Sequence, residues 1–299
     1  MTSRGIKASL SGLMGSLLVS AAAASGQVPP EAPAGTQVEM TREAGGTEFR
    51  LATAEGIVYV WEPPGYSTST AGVVIYIHGY FQSVDQAWSE DKLAAQFLAS
   101  GRNALFIVPQ APADMSEDVC WKSLPGLLEA VEQGLGIKIP SGPCVVIAHS
   151  GGFRTVLDWL GEPRVRWLIL LDALYNGQPQ FRAWLRGGAG ANAHHIVLVA
   201  NDTHRACARF ARRFRGVVRR RGVPQNVSGF APRERQARLF YLRSQYDHTA
   251  IVSSGKVIPV VLQLTPLRAP GESADLPRSG ASHRKSKPAR RSVHRPRHR

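Results

Sequence analysis

The fold is decided by the stretch Val145-Val146-Ile147-Ala148-His149-Ser150-Gly151-Gly152. Its four leading apolar residues predict a short buried strand, and the small residues around Ser150 predict a sharp turn into a helix. Such a turn forces the serine into a strained backbone conformation, which is tolerated only where neighbouring side chains have little bulk. We interpret Ser150 as an exposed nucleophile; the alternative is a serine that caps the following helix.

Two further motifs flank this turn in the chain. An apolar run over residues 73–77 ends abruptly at His78-Gly79, where a loop N–H can point at a developing oxyanion. A later run over residues 239–242 is followed by a loop that carries His248. The order of His-Gly loop, serine turn and late histidine resembles the α/β-hydrolase superfamily, from about Tyr59 to Leu264.

Short apolar strands alternate with helix-compatible segments throughout this region. That alternation predicts an α/β fold, with a mostly parallel central sheet and helices on both faces, which is also the fold that the resemblance implies. The interval from Leu171 to Ile196 is too short for a large additional domain, so we expect little or no cap over the site.

The individual elements follow from apolar periodicity and from Gly and Pro boundaries. The strands are predicted at 57–61, 73–77, 104–108, 145–148, 167–171, 196–200 and 239–242, and the helices at 86–100, 124–135, 152–160, 181–185 and 205–221. Residues 257–264 are apolar but contain Pro259, which leaves their type open.

Both ends of the 299-residue chain differ in composition from its middle. Arg4 and Lys7 precede an apolar stretch of small residues, which predicts a signal peptide over residues 1–24 and export to the periplasm or beyond. A membrane anchor is the alternative. We assign residues 25–46 to a Pro/Gly/Ala-rich linker, residues 47–268 to the α/β-hydrolase domain and residues 269–299 to a basic disordered tail.

The net charge of +14 is concentrated in two segments. Residues 282–299 hold eight Lys or Arg, and the predicted helix 205–221 holds eight arginines around a stripe formed by Phe210, Phe214, Val217 and Val218. This helix is either solvated on its basic face or, like the tail, attracted to an anionic membrane or cell wall. Because no nucleic-acid-binding fold signal accompanies these charges, we expect no sequence-specific nucleic-acid binding.

The resemblance implies a catalytic triad. Ser150 is the expected nucleophile and His248 the general base, because an imidazole that titrates near neutrality exchanges protons readily. The acid stays open. Asp172 directly follows a predicted strand, whereas Asp202 stands where the family more often places the acid but is also suited to cap a helix. Asp247 or no acid at all is the remaining alternative.

The sequence also suggests candidates for the oxyanion hole and for the lining of the substrate cleft. The oxyanion hole is expected to use the backbone N–H groups of Gly151 and Tyr80. Trp88, Trp121 and Tyr175 are candidates to line the substrate cleft, with a place in the core as the alternative for each.

The sequence thus predicts an exported serine hydrolase that cleaves an ester through an acyl-enzyme. An amidase or peptidase with the same triad is one alternative, and a non-catalytic protein of this fold that binds anionic surfaces is another. We expect no cofactor and no metal, since the cysteine spacings match no zinc or redox motif. The cysteines are Cys120, Cys144 and Cys207.

Overall fold

The computed structural model describes residues 37–272. Its strands are β1 (Gln37–Glu43), β2 (Gly46–Thr53), β3 (Gly56–Glu62), β4 (Gly72–Ile77), β5 (Ala104–Pro109), β6 (Cys144–His149), β7 (Val165–Leu171), β8 (His195–Ala200), β9 (Val218–Arg220) and β10 (Leu239–Arg243). They form one sheet in the order β1-β2-β3-β5-β4-β6-β7-β8-β10-β9. The pairs that involve β1, β2 or β3 are antiparallel, and all other pairs are parallel.

Helices cover both faces of this sheet. They are α1 (Val84–Glu90), α2 (Leu93–Ser100), α3 (Leu124–Leu135), α4 (Phe153–Asp158), α5 (Gln178–Arg186), α6 (His204–Ala211), α7 (Ala250–Ser253) and α8 (Ile258–Leu262). Apolar residues of α1, α2, α7 and α8 share one core cluster, and those of α3 to α6 share the other. Both clusters take alternate residues of the same strands, as a sheet buried on both faces requires.

The strand order is that of the α/β-hydrolase fold, with an extra antiparallel strand at one edge and the short β9 at the other. The predicted fold class is therefore confirmed. Between β7 and β8, the described chain contains only α5 and a 3₁₀ turn at Gly190–Asn192, which confirms that no large cap is inserted there.

Local signals predicted some element boundaries well and others poorly. Helix α3 occupies the predicted residues because the Ser123 hydroxyl accepts the N–H of Gly126 at its start and Gly136, with φ of +62°, ends it. The single helix predicted over residues 86–100 is two helices, since Lys92 adopts a left-handed conformation with φ of +52° between them. Residues 257–264 contain α8, with Pro259 in its first turn.

The long basic helix predicted over residues 205–221 is wrong. Helix α6 ends at Ala211, Gly216 follows with φ of +67°, and the chain then forms β9. The backbone of β9 pairs in a parallel ladder with β10, which takes the place of helical hydrogen bonds. The predicted apolar stripe therefore does not lie on one helix. The rings of Phe210 and Phe214 contact each other, but Val218 belongs to strand β9 of the sheet.

The folded region begins earlier than composition indicated. Strand β1 and the first residue of β2 lie within residues 25–46, the predicted linker. Every residue of β1 is exposed, which explains why its composition resembles that of a linker. The predicted signal peptide, residues 25–36 and residues 273–299 of the tail lie outside the described residues. Within residues 37–272, no helix combines the length and apolar character needed to cross a bilayer.

All three cysteines are free thiols. Burial raises the pKa of Cys144 and of Cys207 to about 12, so both remain protonated at neutral pH. They act as small apolar residues in the core.

Candidate active site

Ser150 lies on a tight turn at the carboxyl end of β6. Its φ of +47° is left-handed, and the 3₁₀ turn Ser150–Gly152 leads directly into α4. A Cβ atom on Gly151 would lie 2.4 Å from the ring of Tyr80, and one on Gly152 would lie 2.7 Å from a backbone oxygen of β4. Only glycine fits at these two positions, so the sequence around Ser150 is dictated by close packing of the turn.

The loop after β4 is fixed by the buried side chain of His78. Its Nε2 accepts the N–H of Ala111 at 2.9 Å, so Nδ1 carries the proton and donates to the Gly79 carbonyl at 2.8 Å. Burial lowers the pKa of His78, which keeps the ring neutral. Because C=O and N–H point in opposite directions across a trans peptide, holding the Gly79 carbonyl also fixes the direction of the Tyr80 N–H.

Arg154, on α4, ties a second loop to the serine turn. Its guanidinium donates to the Tyr80 hydroxyl at 3.3 Å and to the Glu117 carbonyl at 2.8 Å. It also donates to the carbonyl oxygens of Asp114 and Met115. No local sequence pattern indicates this role, because most of the partners are backbone groups of a distant loop.

Asp172 follows β7 and is fully buried. It also has a left-handed backbone, with φ of +48°. Its carboxylate accepts the N–H groups of Asn201, Asp202 and Thr203 at 2.8–3.0 Å and the Thr203 hydroxyl at 2.6 Å. These N–H groups precede α6, so a carboxylate from another strand occupies the amino end of that helix, where negative charge is favoured.

Asp172 and His248 form a close pair, with 2.8 Å between Oδ2 and Nδ1. Burial alone would raise the pKa of Asp172, but the hydrogen bonds from His248 and Thr203 outweigh it and hold the pKa well below its usual range. The hydrogen bond to Asp172 raises the pKa of His248. In neutral His248 the proton is therefore on Nδ1, which leaves the lone pair on Nε2.

The other two candidate acids are placed differently. Asp202 Oδ2 lies 3.9 Å from His248 Nδ1, and the Asp202 side chain is 58% exposed. It does not cap α6, whose N-cap residue is Thr203. The Asp247 carboxylate accepts the N–H of Ala250, the first residue of the short helix α7, at 2.7 Å. Among the three, only Asp172 is in hydrogen-bond contact with the imidazole.

His149, the last residue of β6, packs beside His248. The two ring centroids are 4.7 Å apart, and His149 Nε2 lies 3.2 Å from the His248 carbonyl oxygen. His149 is not the partner of Asp172, which pairs with His248. Its contact with His248 depends on how β6 and the loop after β10 meet, which spacing along the chain does not reveal.

The three aromatic candidates separate into one residue at the site and two in the core. The Tyr175 hydroxyl lies 3.4 Å from His248 Nδ1, and Tyr175 is 48% exposed. Trp88 stacks on Tyr59 with 4.8 Å between centroids, inside the core that α1 forms with the sheet. Trp121 is also a buried core residue. The expectation that Trp88 and Trp121 line the cleft is corrected accordingly.

One group of side chains at the site has the composition of a metal site. Asp172, Asp202 and His248 each offer a ligand atom, and these atoms lie within 4.8 Å of one another. The imidazole nitrogen that faces the carboxylates is, however, the one that donates to Asp172. The observed pairing therefore suits proton transfer through His248 better than ligation.

Comparison with known proteins adds only remote likenesses: no family model and no curated protein sequence matches. An S-formylglutathione hydrolase from Agrobacterium tumefaciens is similar, with a TM-score of 0.48 and 12% identity over 78% of this chain and 100% of that chain. A feruloyl esterase module from Clostridium thermocellum has a TM-score of 0.48 and 10% identity, covering 75% and 87% of the two chains. Because both scores are below 0.5, the assignment of the fold rests on the strand order.

Proposed function

We propose that this chain is a serine hydrolase that cleaves an ester through an acyl-enzyme. The observation that carries the proposal is the pair of Asp172 and His248, whose Oδ2 and Nδ1 atoms are 2.8 Å apart. The pair lies at the carboxyl ends of the strands, where Ser150 occupies its strained turn. All three residues follow the carboxyl ends of strands, where catalytic groups collect in α/β sheets. A strained serine and a buried ionised acid beside an imidazole are the parts that acyl transfer needs.

In the proposed first step, Ser150 Oγ attacks the ester carbonyl while its proton moves to His248 Nε2. The carbonyl π pair moves to oxygen and gives a tetrahedral oxyanion. Asp172, ionised at neutral pH, stabilises the imidazolium that forms. When the oxyanion collapses, the alcohol leaves with the proton from His248. Water then repeats the sequence on the acyl-enzyme and releases the acid.

The oxyanion is proposed to accept the backbone N–H groups of Gly151 and Tyr80. The Tyr80 N–H belongs to the peptide whose carbonyl His78 holds, so it needs no reorientation during the reaction. Gly151 packs against the Tyr80 ring, which Arg154 holds through its hydroxyl. Donors fixed in advance cost no reorganisation when charge develops, and one such donor is worth about 3 kcal/mol of barrier.

Strain supports catalysis over a purely binding role. Ser150 and Asp172 are both non-glycine residues with left-handed φ, and each such conformation costs about 1–3 kcal/mol. A protein that used this fold only to bind an anionic surface would gain nothing from that cost. The same triad attacks amides, so an amidase or peptidase remains the nearest alternative.

A panel of p-nitrophenyl esters of increasing chain length, with matched p-nitroanilides, tests the proposal. We expect ester turnover to exceed anilide turnover, and Ser150→Ala to abolish it with an unchanged thermal midpoint. Faster anilide turnover would identify an amidase. Turnover that persists in Ser150→Ala would remove Ser150 from the mechanism.

Export and surface attachment extend this proposal beyond the described residues. The composition of residues 1–24 supports secretion, and the eight basic residues of 282–299 support attraction to anionic membranes or wall polymers. Each basic residue near such a surface contributes about 1 kcal/mol, screened by salt. Deleting 282–299 should weaken adsorption to anionic vesicles and leave kcat/KM on a small soluble ester unchanged. Equal adsorption of both forms would refute the tail's role.

A further inference from the structure

His149 is a buried histidine whose protonation state is fixed by its surroundings. It is 6% exposed, and its Nε2 lies 3.2 Å from the carbonyl oxygen of His248. A carbonyl oxygen only accepts hydrogen bonds, so Nε2 must carry the proton and donate it. The lone pair of the ring is therefore on Nδ1.

The Nδ1 atom of His149 is sealed against the loop after β4. It is buried and has no hydrogen-bond partner among the described residues. A Cβ atom on Gly79 would lie 3.0 Å from it and 2.9 Å from Ser150 Cβ, so the bare Cα of Gly79 fills this space. A second proton on the ring would face this packing without an acceptor, which disfavours the charged form.

On balance, the burial of His149 and the charges near it also favour the neutral ring. Burial, followed by the nearby His248, lowers the pKa of His149 to about 4, against smaller opposing effects of its hydrogen bond and of Asp172. The remaining titratable neighbour, His78, is itself kept neutral by burial. His149 is thus a neutral donor in one tautomer throughout the pH range in which His248 titrates.

We propose that His149 is a positioning residue for His248. The inference rests on the proposed function, in which His248 is the general base. His149 restrains that base twice: its N–H holds the backbone carbonyl, and its ring packs against the imidazole at 4.7 Å. Because His149 is the last residue of β6 and directly precedes Ser150, this restraint fixes the base relative to the nucleophile. A neutral ring here also avoids repelling the imidazolium that forms during the reaction.

Two substitutions separate the two restraints. His149→Phe retains a ring against His248 but has no N–H for the carbonyl, whereas His149→Gln retains an N–H donor and has no ring. We expect kcat to fall about 10- to 100-fold in the Phe variant and about fivefold in the Gln variant, with KM nearly unchanged in both. A loosened His248 loses part of its contact with Asp172, so the midpoint of the pH–kcat profile should also move to lower pH.

His195→Phe is the matched control. His195 is also a histidine that burial keeps neutral, stacked on Trp167 at 4.1 Å, with Nδ1 3.3 Å from the Ala237 carbonyl oxygen. It is the first residue of β8 and therefore lies at the amino ends of the parallel strands, whereas Ser150 lies at their carboxyl ends. This variant should lose stability comparably and keep both kcat and the pH midpoint.

Unchanged kcat and an unchanged pH midpoint in a folded His149→Phe variant would overturn the inference. If that variant does not fold, His149→Gln decides alone: the fivefold loss with constant KM supports the positioning role, and wild-type kcat refutes it. Failure of the proposed function is distinct, because the wild-type protein itself would then show no turnover that depends on Ser150.

Discussion

Ser150 and Asp172 are each the first residue after one of two adjacent parallel strands, and both have left-handed φ, +47° and +48°. The last register pair between these strands joins His149 with Leu171, so the two strained residues lie side by side at the carboxyl ends of the strands. Asp172 reaches His248 from this position. Strained residues of this kind cluster at functional sites, and two of the five non-glycine residues with left-handed φ in the described chain are neighbours here.

The acid is tested by comparing Asp172→Asn with Asp202→Asn. We expect kcat to fall by about three to four orders of magnitude in Asp172→Asn, because an amide neither holds the Nδ1 tautomer nor stabilises imidazolium. Stability should also fall by about 1–3 kcal/mol, because one side of the amide presents N–H groups to the backbone donors before α6.

Asp202→Asn serves as the control in that comparison. Its side chain is 58% exposed and 3.9 Å from the ring, so we expect kcat to change by less than about threefold. Steady-state kinetics and thermal midpoints of both variants measure the difference. A large loss confined to Asp202→Asn would transfer the role of the acid to that residue.

The pH dependence follows from the raised pKa of His248. Catalysis needs the neutral imidazole, so kcat/KM should rise with pH and reach half its limit above the ordinary value of 6.5. The hydrogen bond to Asp172 is the main cause, and the charge of Asp202 adds to it. Asp202→Asn should therefore lower the midpoint. A midpoint at or below 6.5 would contradict the pairing of Asp172 with His248.

Gly151 offers a test of the oxyanion loop. In Gly151→Ala, the new methyl group would lie 2.4 Å from the Tyr80 ring, so the ring and its loop must move. Displacing one fixed oxyanion donor should lower kcat about 100-fold or more. Gly161→Ala is the matched control, since nothing lies within 4 Å of a Cβ there. Equal kcat in the two variants would show that the loop does not contribute.

The buried carboxyl group of Asp91 should make the free energy of unfolding depend on pH, and this effect is separate from the active site. It is 5% exposed, its Oδ2 lacks a partner among the described residues, and burial with the charge of Glu90 raises its pKa to about 6. A carboxyl with a raised folded pKa destabilises the native state progressively as pH rises from about 4 to about 6, and the loss is complete above that range.

The neutral variant Asp91→Asn should therefore be more stable than the wild-type protein at pH 8, by up to about 3 kcal/mol. Near pH 4 the difference should be small, because the folded wild type is then largely protonated. Chemical denaturation at both pH values measures this. An equal change in the free energy of unfolding at pH 4 and pH 8 would mean that the carboxyl is not ionising in a buried setting.

The sheet and the serine turn could be predicted because their signals are local. Apolar runs marked the strands, and Ser123 and Gly136 marked the ends of α3. The division of the helix at Lys92 could not be predicted in this way, since a left-handed lysine leaves no compositional trace. Strand β9 was hidden for a related reason: three residues form a strand only because β10 lies beside them.

In the candidate site, too, the residues with local sequence signals could be predicted and those identified by contacts in space could not. Ser150 and His248 stood out because each follows a predicted strand in a recognisable order. The choice between Asp172 and Asp202 stayed open, because it depends on which carboxylate the loop after β10 meets in space. The contact of His149 with His248 likewise joins residues 99 positions apart. Such contacts are set by the fold and not by any local pattern.

Labelling with a fluorophosphonate, followed by mass spectrometry of the peptides, tests the central claim most directly. The reagent forms a stable phosphonyl ester only with a serine that a neighbouring base activates. We predict a single adduct on Ser150, formed faster as His248 loses its proton, and none in Ser150→Ala. An adduct on another serine, or no adduct on the folded wild-type protein at any pH, would contradict the assignment of Ser150 as the nucleophile.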